Sequence, residues 1–300
     1  MTLIPEGERA KSFATVTRLL NRFSALHMTR QSTVIALGGG VVGDVTGFAA
    51  SMYMRGISVV QAPTTLLAQV DSSIGGKTGI NFRTVKNLIG AFHQPRLVLT
   101  DIATLRTLPI REYRSGLYEA VKYGIICDRG LFDEFAASRD LLLQRDPAAV
   151  ERLVARCAAI KGDVVSRDER EGDLRRVLNL GHTVGHGLEA AAGFRRLKHG
   201  EAVGFGMIAA LRISEALGRM PKDQVSRAES VIHSIGDLPS LAGLKLKAIM
   251  EALQHDKKVR DGAVHFVLPI EIGRVEITSA VPLELVRDTV KALIDENKVR

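Results

Sequence analysis

Arg175, Asn179, His182 and His186 stand at relative positions 0, 4, 7 and 11 in the stretch RRVLNLGHTVGH. At 3.6 residues per turn, that spacing predicts one helix with all four side chains on a single face. An arginine, an amide and two imidazoles pack a core poorly, but they suit a metal ion with an anion beside it. Histidines four apart on a helix can both reach one ion, and the same pattern also fits a solvated face with incidental histidines. The neighbouring motifs favour the first reading. Glu119 and Lys122, three apart in GLYEAVKYG, share a helical face, and His199-Gly200-Glu201 opens a further helix. One glutamate and two or three histidines on separate helices suit a zinc site with an open position. An ion there acts as a Lewis acid and orients a substrate hydroxyl or carbonyl.

Cations form the second group. Lys77 emerges from Asp71-Ser72-Ser73-Ile74-Gly75-Gly76, which lacks the spacing of a triphosphate-binding loop. Lys86 sits beside Asn87, and Lys161, Glu171, Arg175 and Asn179 interrupt otherwise apolar helical text. Lys77, Lys86, Lys122, Lys161 and one of Lys257 or Lys258, with Arg55 and Arg175, exceed what a dehydrogenase of neutral alcohols needs. They suit a substrate carrying both a phosphate and a carboxylate.

These side chains need a scaffold, and the patterning predicts an α/β one. Pro5 and Gly7 lead into a helix from about Glu8 to Ala25. TVIAL at 33–37 reads as a short buried strand that runs into GGGVVGD at 38–44 and an apolar helix. Strand, glycine turn, helix is the arrangement in which first-turn amides cradle a dinucleotide's pyrophosphate, although the spacing is not GxGxxG. Ile57 to Gln61 reads as a second strand, followed by Pro63-Thr64-Thr65 and a helix through Leu66, Leu67 and Val70. Leu97 to Thr100 reads as a third, closed by Asp101. Helical periodicity then dominates from 110 to about 255, before a terminal hairpin of HFVLP and VEIT. The reading is a Rossmann-like NAD-binding domain over 1–109, short at its N-terminus, followed by a mainly helical metal- and substrate-binding domain over 110–300.

Composition bounds the function. The 300 residues are 46% hydrophobic and 25% charged, ordinary globular material. The net charge of +8 has no dense Lys/Arg block behind it, which favours an anionic small substrate over nucleic acid. Cys127 and Cys157 show no paired metal spacing, and no signal peptide or bilayer-length apolar run is seen, so the expectation is a cytoplasmic protein without membrane association.

The chain resembles the 3-dehydroquinate synthases of the shikimate pathway, within the sugar-phosphate cyclases. The resemblance rests on GGGVVGD at 38–44, APTTLLAQVDSSIGGKTGIN at 62–81, KNLIGAF at 86–92, GLYEAVKYG at 116–124, LNLGHTVGHGLEA at 178–190 and HGEAVGFGM at 199–207. It implies a Rossmann-like domain joined to a helical one, with the active site in the cleft between them. It implies 3-deoxy-D-arabino-heptulosonate 7-phosphate as substrate. Bound NAD would oxidise a ring alcohol transiently, phosphate would leave by β-elimination, the ketone would be reduced back, and an intramolecular aldol step would close the new ring.

Carried over by motif, Glu119, His182 and His199 are the implied ligands of a divalent zinc or cobalt ion. His186 is then not a ligand but a proton-handling group at the phosphate end of the substrate. The resemblance implies that Arg175 and Lys161 bind the carboxylate. Lys77, Asn87, Asn179 and Lys257 or Lys258 partner the phosphate or ring hydroxyls, with Lys122 and Glu171 also in the catalytic set. Arg55 resembles a residue that in the family reaches into a neighbouring protomer's site, so the resemblance implies a homodimer. The implied NAD contacts are Glu6, Gly7, Glu8, Arg9, Ala10 and Lys11; Gly40, Val41, Val42, Gly43 and Asp44; Thr64, Thr65, Asp71, Lys77 and Lys86; and Thr104, Leu105, Arg106 and Thr107. Family members usually carry further strands and a helix before the motif of Gly7, Glu8 and Lys11, so weaker NAD binding is expected of this chain. The competing readings are another sugar-phosphate cyclase, a metal-dependent alcohol dehydrogenase, and a non-catalytic NAD-binding remnant.

Overall fold

The computed structural model describes residues 1–83, 85–259 and 264–298, the side chains of 254–259 excepted. They form two compact units, Met1–Pro109 with Val154–Arg170, and Ile110–Leu153 with Glu171–Arg300. The stretch 154–170 therefore groups with the first unit and not with the helical domain expected from 110 onward. Side chains supply the reason: Lys161 Nζ lies 2.6 Å from Asp71 Oδ1, and Gln94 donates to Glu169 at 2.8 Å.

In the first unit, the expected helix from Glu8 is two pieces. A 3-10 turn covers Glu8–Ala10, and α1 covers Phe13–Ala25. The break falls at Ser12, whose hydroxyl accepts the Thr15 amide as an N-cap. β1 (Thr33–Gly38) runs into α2 (Gly40–Met52), and β2 (Ser58–Pro63) follows. β3 (Lys77–Phe82) and β4 (Val85–Phe92) form an antiparallel hairpin, and β5 (Leu97–Val98) comes last. β1, β2 and β5 make a parallel sheet in that order, Thr33 facing Ser58 and Val60 facing Leu97. The core is aliphatic: Val16, Leu19 and Phe23 of α1 meet Ala36, Val45, Phe48, Val59 and Ile80. The sequence pattern predicts no hairpin here and places Lys77 in a glycine loop, whereas Lys77 opens β3. Gly79 pairs with Gly90 across it, and glycine in a strand erases the alternation that marks one.

The second unit is helical: α3 (Ile110–Cys127), α4 (Arg129–Ala137), α5 (Arg139–Leu143), the first turns of α6 (Pro147–Arg167), α7 (His182–Ala191), α8 (His199–Ala216), α9 (Lys222–Ser234) and α10 (Leu246–Val259). A hairpin of β6 (Phe266–Glu271) and β7 (Arg274–Thr278) precedes α11 (Leu283–Glu296). α8 is apolar nearly all round, from Ala202 and Val203 to Leu211 and Ile213, so it is buried on every side. It packs against α3, α7, α9, α11 and β6. Among the described residues, no helix is long and apolar enough to cross a membrane.

Candidate metal centre and cofactor residues

The stretch 175–186 is not one helix. Leu174–Asn179 is a 3-10 turn, Gly181 adopts φ +79°, and α7 begins at His182. Arg175 and Asn179 therefore do not share a helical face with the histidines. Two backbones force the break. A Cβ on Gly206 of α8 would stand 1.8 Å from the Gly181 carbonyl oxygen, so α7 starts where α8 touches it with no side chain between. Only a residue without Cβ takes the left-handed turn cheaply and leaves that room.

That contact carries His182 to α8, and a second carries α3 there. A Cβ on Gly200 would stand 2.0 Å from the Ser115 carbonyl oxygen, and the Gly200 amide donates to Ser115 Oγ at 2.9 Å. The start of α8 is also pinned by Glu201, which accepts the Lys198 amide at 2.7 Å and Arg111 at 2.5 and 2.7 Å. His199, the first residue of α8, thus lies over α3 and its Glu119.

Three potential metal ligands converge as a result. Glu119 Oε1 lies 3.3 Å from His199 Nε2 and 3.7 Å from His182 Nε2, and one ligand atom from each residue falls within 4.8 Å of the others. Two ligands each about 2.0–2.1 Å from a tetrahedral zinc are roughly 3.3 Å apart, so these donors fit one ion. The far ring nitrogens are engaged: His182 Nδ1 donates to the Leu180 carbonyl at 3.1 Å, and His199 Nδ1 to Glu189 at 3.3 Å. His186 is exposed, its ring 5.4 Å from that of His182 and 6.3 Å from that of His199, outside the three-ligand group.

The surroundings drive the two imidazoles apart. Burial, then the positive Lys122, pushes His182 down to about 3. Burial also opposes charge on His199, but hydrogen bonds to Glu119 and Glu189 outweigh it and push that group up to about 10. Lys122 pairs with Glu119 one turn away, both side chains almost wholly buried. Elsewhere in this unit, Arg175 is 2% exposed, and Asn179 donates to Glu171 Oε1 at 3.0 Å, Glu171 itself at φ +60°. Lys257 and Lys258 fall on the last turns of α10, and their side chains lie outside the described residues.

The residues expected to hold a nucleotide lie in the first unit. Lys11 is buried, its ammonium 2.5 Å from Asp44 Oδ2 and 3.7 Å from Glu8 Oε1, and it donates to Asn87 Oδ1 at 2.9 Å. Burial works against its charge, but Asp44 and Glu8 outweigh it and raise its pKa. Asn81 joins Glu8 to the Asn87 amide, at 3.0 and 2.9 Å. The α2 N-terminus, Gly40 to Asp44, follows β1 directly, and the Thr64 amide donates to the Gly38 carbonyl at 2.9 Å. Gln69, fully buried, donates to Pro63 O, Asp101 O and Thr104 Oγ1 at 3.0–3.2 Å, so it ties the Thr64-Thr65 turn to the 104–107 turn. Ala10 and Leu105 point into the core, while Glu6, Gly7, Arg9, Arg106 and Thr107 are exposed. Lys77 opens β3, Lys86 lies on β4, and exposed Arg55 stands at φ +65°. Lys161 donates to both the backbone and the carboxylate oxygen of Asp71, at 2.5 and 2.6 Å.

Sequence reasoning missed Gln69, Ser115, Arg111, Glu189, Gly200 and Gly206. For Glu189 a signal existed, since it stands seven residues after His182 and thus on its helical face. For the others no local pattern points to a site.

Both halves of the chain are similar to known proteins. The family model described as 3-dehydroquinate synthase N-terminal matches residues 1–115, and the one described as 3-dehydroquinate synthase C-terminal matches 116–259. The 3-dehydroquinate synthase of Nostoc punctiforme is 48% identical over 295 residues, 97% of this chain and 81% of its own length. That of a Synechococcus species is 50% identical over 294 residues, 97% of this chain and 80% of its own. A 2-epi-5-epi-valiolone synthase of Streptomyces hygroscopicus, solved with NAD+ and Zn2+ bound, matches with a TM-score of 0.91 and 32% identity, covering 98% of this chain and 82% of that one. A 2-deoxy-scyllo-inosose synthase, solved with carbaglucose-6-phosphate, NAD+ and Co2+, matches with a TM-score of 0.85 and 31% identity, covering 96% and 81%. A glycerol dehydrogenase of Schizosaccharomyces pombe, at 17% identity and a TM-score of 0.65, shares the fold alone. With both halves matched and relatives this similar over nearly its whole length, the chain belongs to the 3-dehydroquinate synthase family.

Proposed function

We propose that the chain is a 3-dehydroquinate synthase, an NAD- and metal-dependent carbon–oxygen lyase. It converts 3-deoxy-D-arabino-heptulosonate 7-phosphate to 3-dehydroquinate and phosphate with no net redox change. The observation that carries the reading is the convergence of Glu119, His182 and His199 within motifs of the matched family. When bound, a zinc or cobalt ion and NAD supply polarisation of a substrate oxygen and a transient hydride acceptor.

The chain's own residues do the rest. Glu119, His182 and His199 hold the ion, with Lys122 balancing the glutamate from its buried side. His186, exposed beside the ligands, handles a proton at its ring nitrogen, toward the phosphate end of the substrate. In the second unit Arg175 takes the carboxylate, Asn179 is held in place by Glu171, and Lys257 or Lys258 adds a cation. In the first unit Lys161, steadied by Asp71, offers a cation for a carboxylate, and Lys77 and Asn87 suit a phosphate or ring hydroxyls. The first-turn amides of α2 suit the NAD pyrophosphate, since a helix start offers unpaired N–H groups and the positive end of its dipole. The cluster of Lys11, Asp44 and Glu8, the Thr64-Thr65 turn, Lys86 and the 104–107 turn take the remainder of the dinucleotide. The working form in this reading is a cytoplasmic homodimer to which Arg55 contributes across the interface.

The test is turnover of the full chain with the heptulosonate phosphate, NAD and zinc or cobalt, read as phosphate release and formation of 3-dehydroquinate. No phosphate release from the loaded protein would overturn the proposal. Turnover only of a sugar phosphate that lacks the carboxylate would move the assignment to the sister cyclases, whose solved members share this fold.

A further inference from the structure

We propose that Glu189 is a positioning residue for the metal centre: it holds Nδ1 of His199 so that Nε2 is left, as a lone pair, to the divalent ion. The inference rests on the reading of Glu119, His182 and His199 as ligands. Nothing in the sequence motif requires this role, because Glu189 stands on α7 while His199 opens α8.

The geometry points to it in three ways. Glu189 is 3% exposed, and its Oε2 lies 3.3 Å from His199 Nδ1, while the same ring presents Nε2 at 3.3 Å from Glu119 Oε1. One ring is thus gripped from both sides by carboxylates in different helices. In the neutral ring that a metal would take, a carboxylate that accepts from Nδ1–H selects the tautomer with an unprotonated Nε2 and raises its basicity as a ligand.

The two histidines also differ in their need for such a partner. His182 is 14% exposed and donates to the Leu180 carbonyl only two residues away, so its own turn orients it. The His199 side chain is 31% exposed and sits on the first residue of its helix, where packing constrains it less. Glu189, two turns beyond His182 on the same face of α7, supplies the missing constraint. It also couples the two ligand-bearing helices: any rotation of α7 that moved His182 would also move the group that orients His199.

The test compares the full-length parent with Glu189→Gln and Glu189→Ala. Competition with a chelator gives Zn2+ affinity, and the visible spectrum of the Co2+ form reports ligand geometry. Thermal melting of each metal-free protein reads fold stability separately. Glu189→Ala should weaken Zn2+ binding by about 10- to 100-fold and shift or weaken the Co2+ bands. Glu189→Gln, which keeps the shape and an acceptor oxygen but loses the charge, should weaken binding less. Should Glu189→Ala fail to fold, the Gln variant alone decides, by a loss of affinity at unchanged metal-free melting. Equal affinity and an unchanged Co2+ spectrum in the folded variants would overturn the role of Glu189. Failure of the parent itself to bind one equivalent of Zn2+ or Co2+ would instead overturn the ligand assignment on which it rests.

Discussion

Lys122 and Glu119 form an ion pair one helical turn apart on α3, with side-chain exposures of 1% and 0%. Two charges taken fully from water hold each other at a desolvation cost, and removing one strands the other. Lys122→Met should therefore destabilise the metal-free protein by about 3–5 kcal/mol. Saturating zinc should recover part of that loss, because a divalent ion gives Glu119 a new counter-charge. Urea unfolding of both proteins, with chelator and with zinc, checks this. Equal losses in the two conditions would separate Lys122 from the metal centre.

Gly206→Ala should disturb His182 from the helix behind it. The added Cβ falls 1.8 Å from a backbone oxygen, which no rotamer change relieves. Overpacking of this kind costs about 1–3 kcal/mol, and here it should displace the start of α7. Lower thermal stability together with weaker zinc binding is the expected pair of results. Lower stability with unaltered metal affinity would show that the core absorbs the strain elsewhere.

Metal removal should lower stability by mass action. At free zinc 100 times its dissociation constant, the folded state gains about 2.7 kcal/mol over the metal-free form. Melting curves with and without chelator should show this difference in the parent, and His182→Ala should abolish it along with stoichiometric zinc. Full zinc content in that variant would remove His182 from the ligand set.

Arg175→Lys should weaken the heptulosonate phosphate by more than an analogue lacking the carboxylate. Arg175 is 2% exposed, and lysine replaces a planar fork by a point charge. Steady-state kinetics and analogue inhibition in parent and variant measure the split. A loss that is the same for both compounds would assign Arg175 another role.

Alkaline stability should carry the mark of Tyr113. Its buried hydroxyl donates to Leu142 O at 2.8 Å, and burial pushes its pKa up to about 12. With an unfolded value near 10, the folded state keeps the proton longer. Its contribution is whole below about pH 10 and is lost as the pH rises toward 12. Unfolding free energy measured from pH 9 to 11.5 should fall more steeply in the parent than in Tyr113→Phe.

The residues themselves settled a good deal. Strand, glycine turn and helix at Thr33 to Met52 follow from propensities and patterns within a dozen residues, as do the long helical periods after Pro109. A glutamate and two or three histidines stand out as candidate ligands because carboxylate and imidazole are rare in apolar helical text, and only the family resemblance narrows them to Glu119, His182 and His199, which lie together in the structure. Contacts between distant segments decided the rest. The break at Gly181 depends on Gly206 reaching its carbonyl, the hairpin at Lys77 on glycines facing across two strands, and the grouping of 154–170 on Lys161 finding Asp71. Glu189 gained a role only when α7 lay beside α8. A local pattern specifies backbone conformation through its own steric and hydrogen-bond terms. Which side chain meets which across the core is set by how whole helices pack, and that energy belongs to no single stretch of sequence.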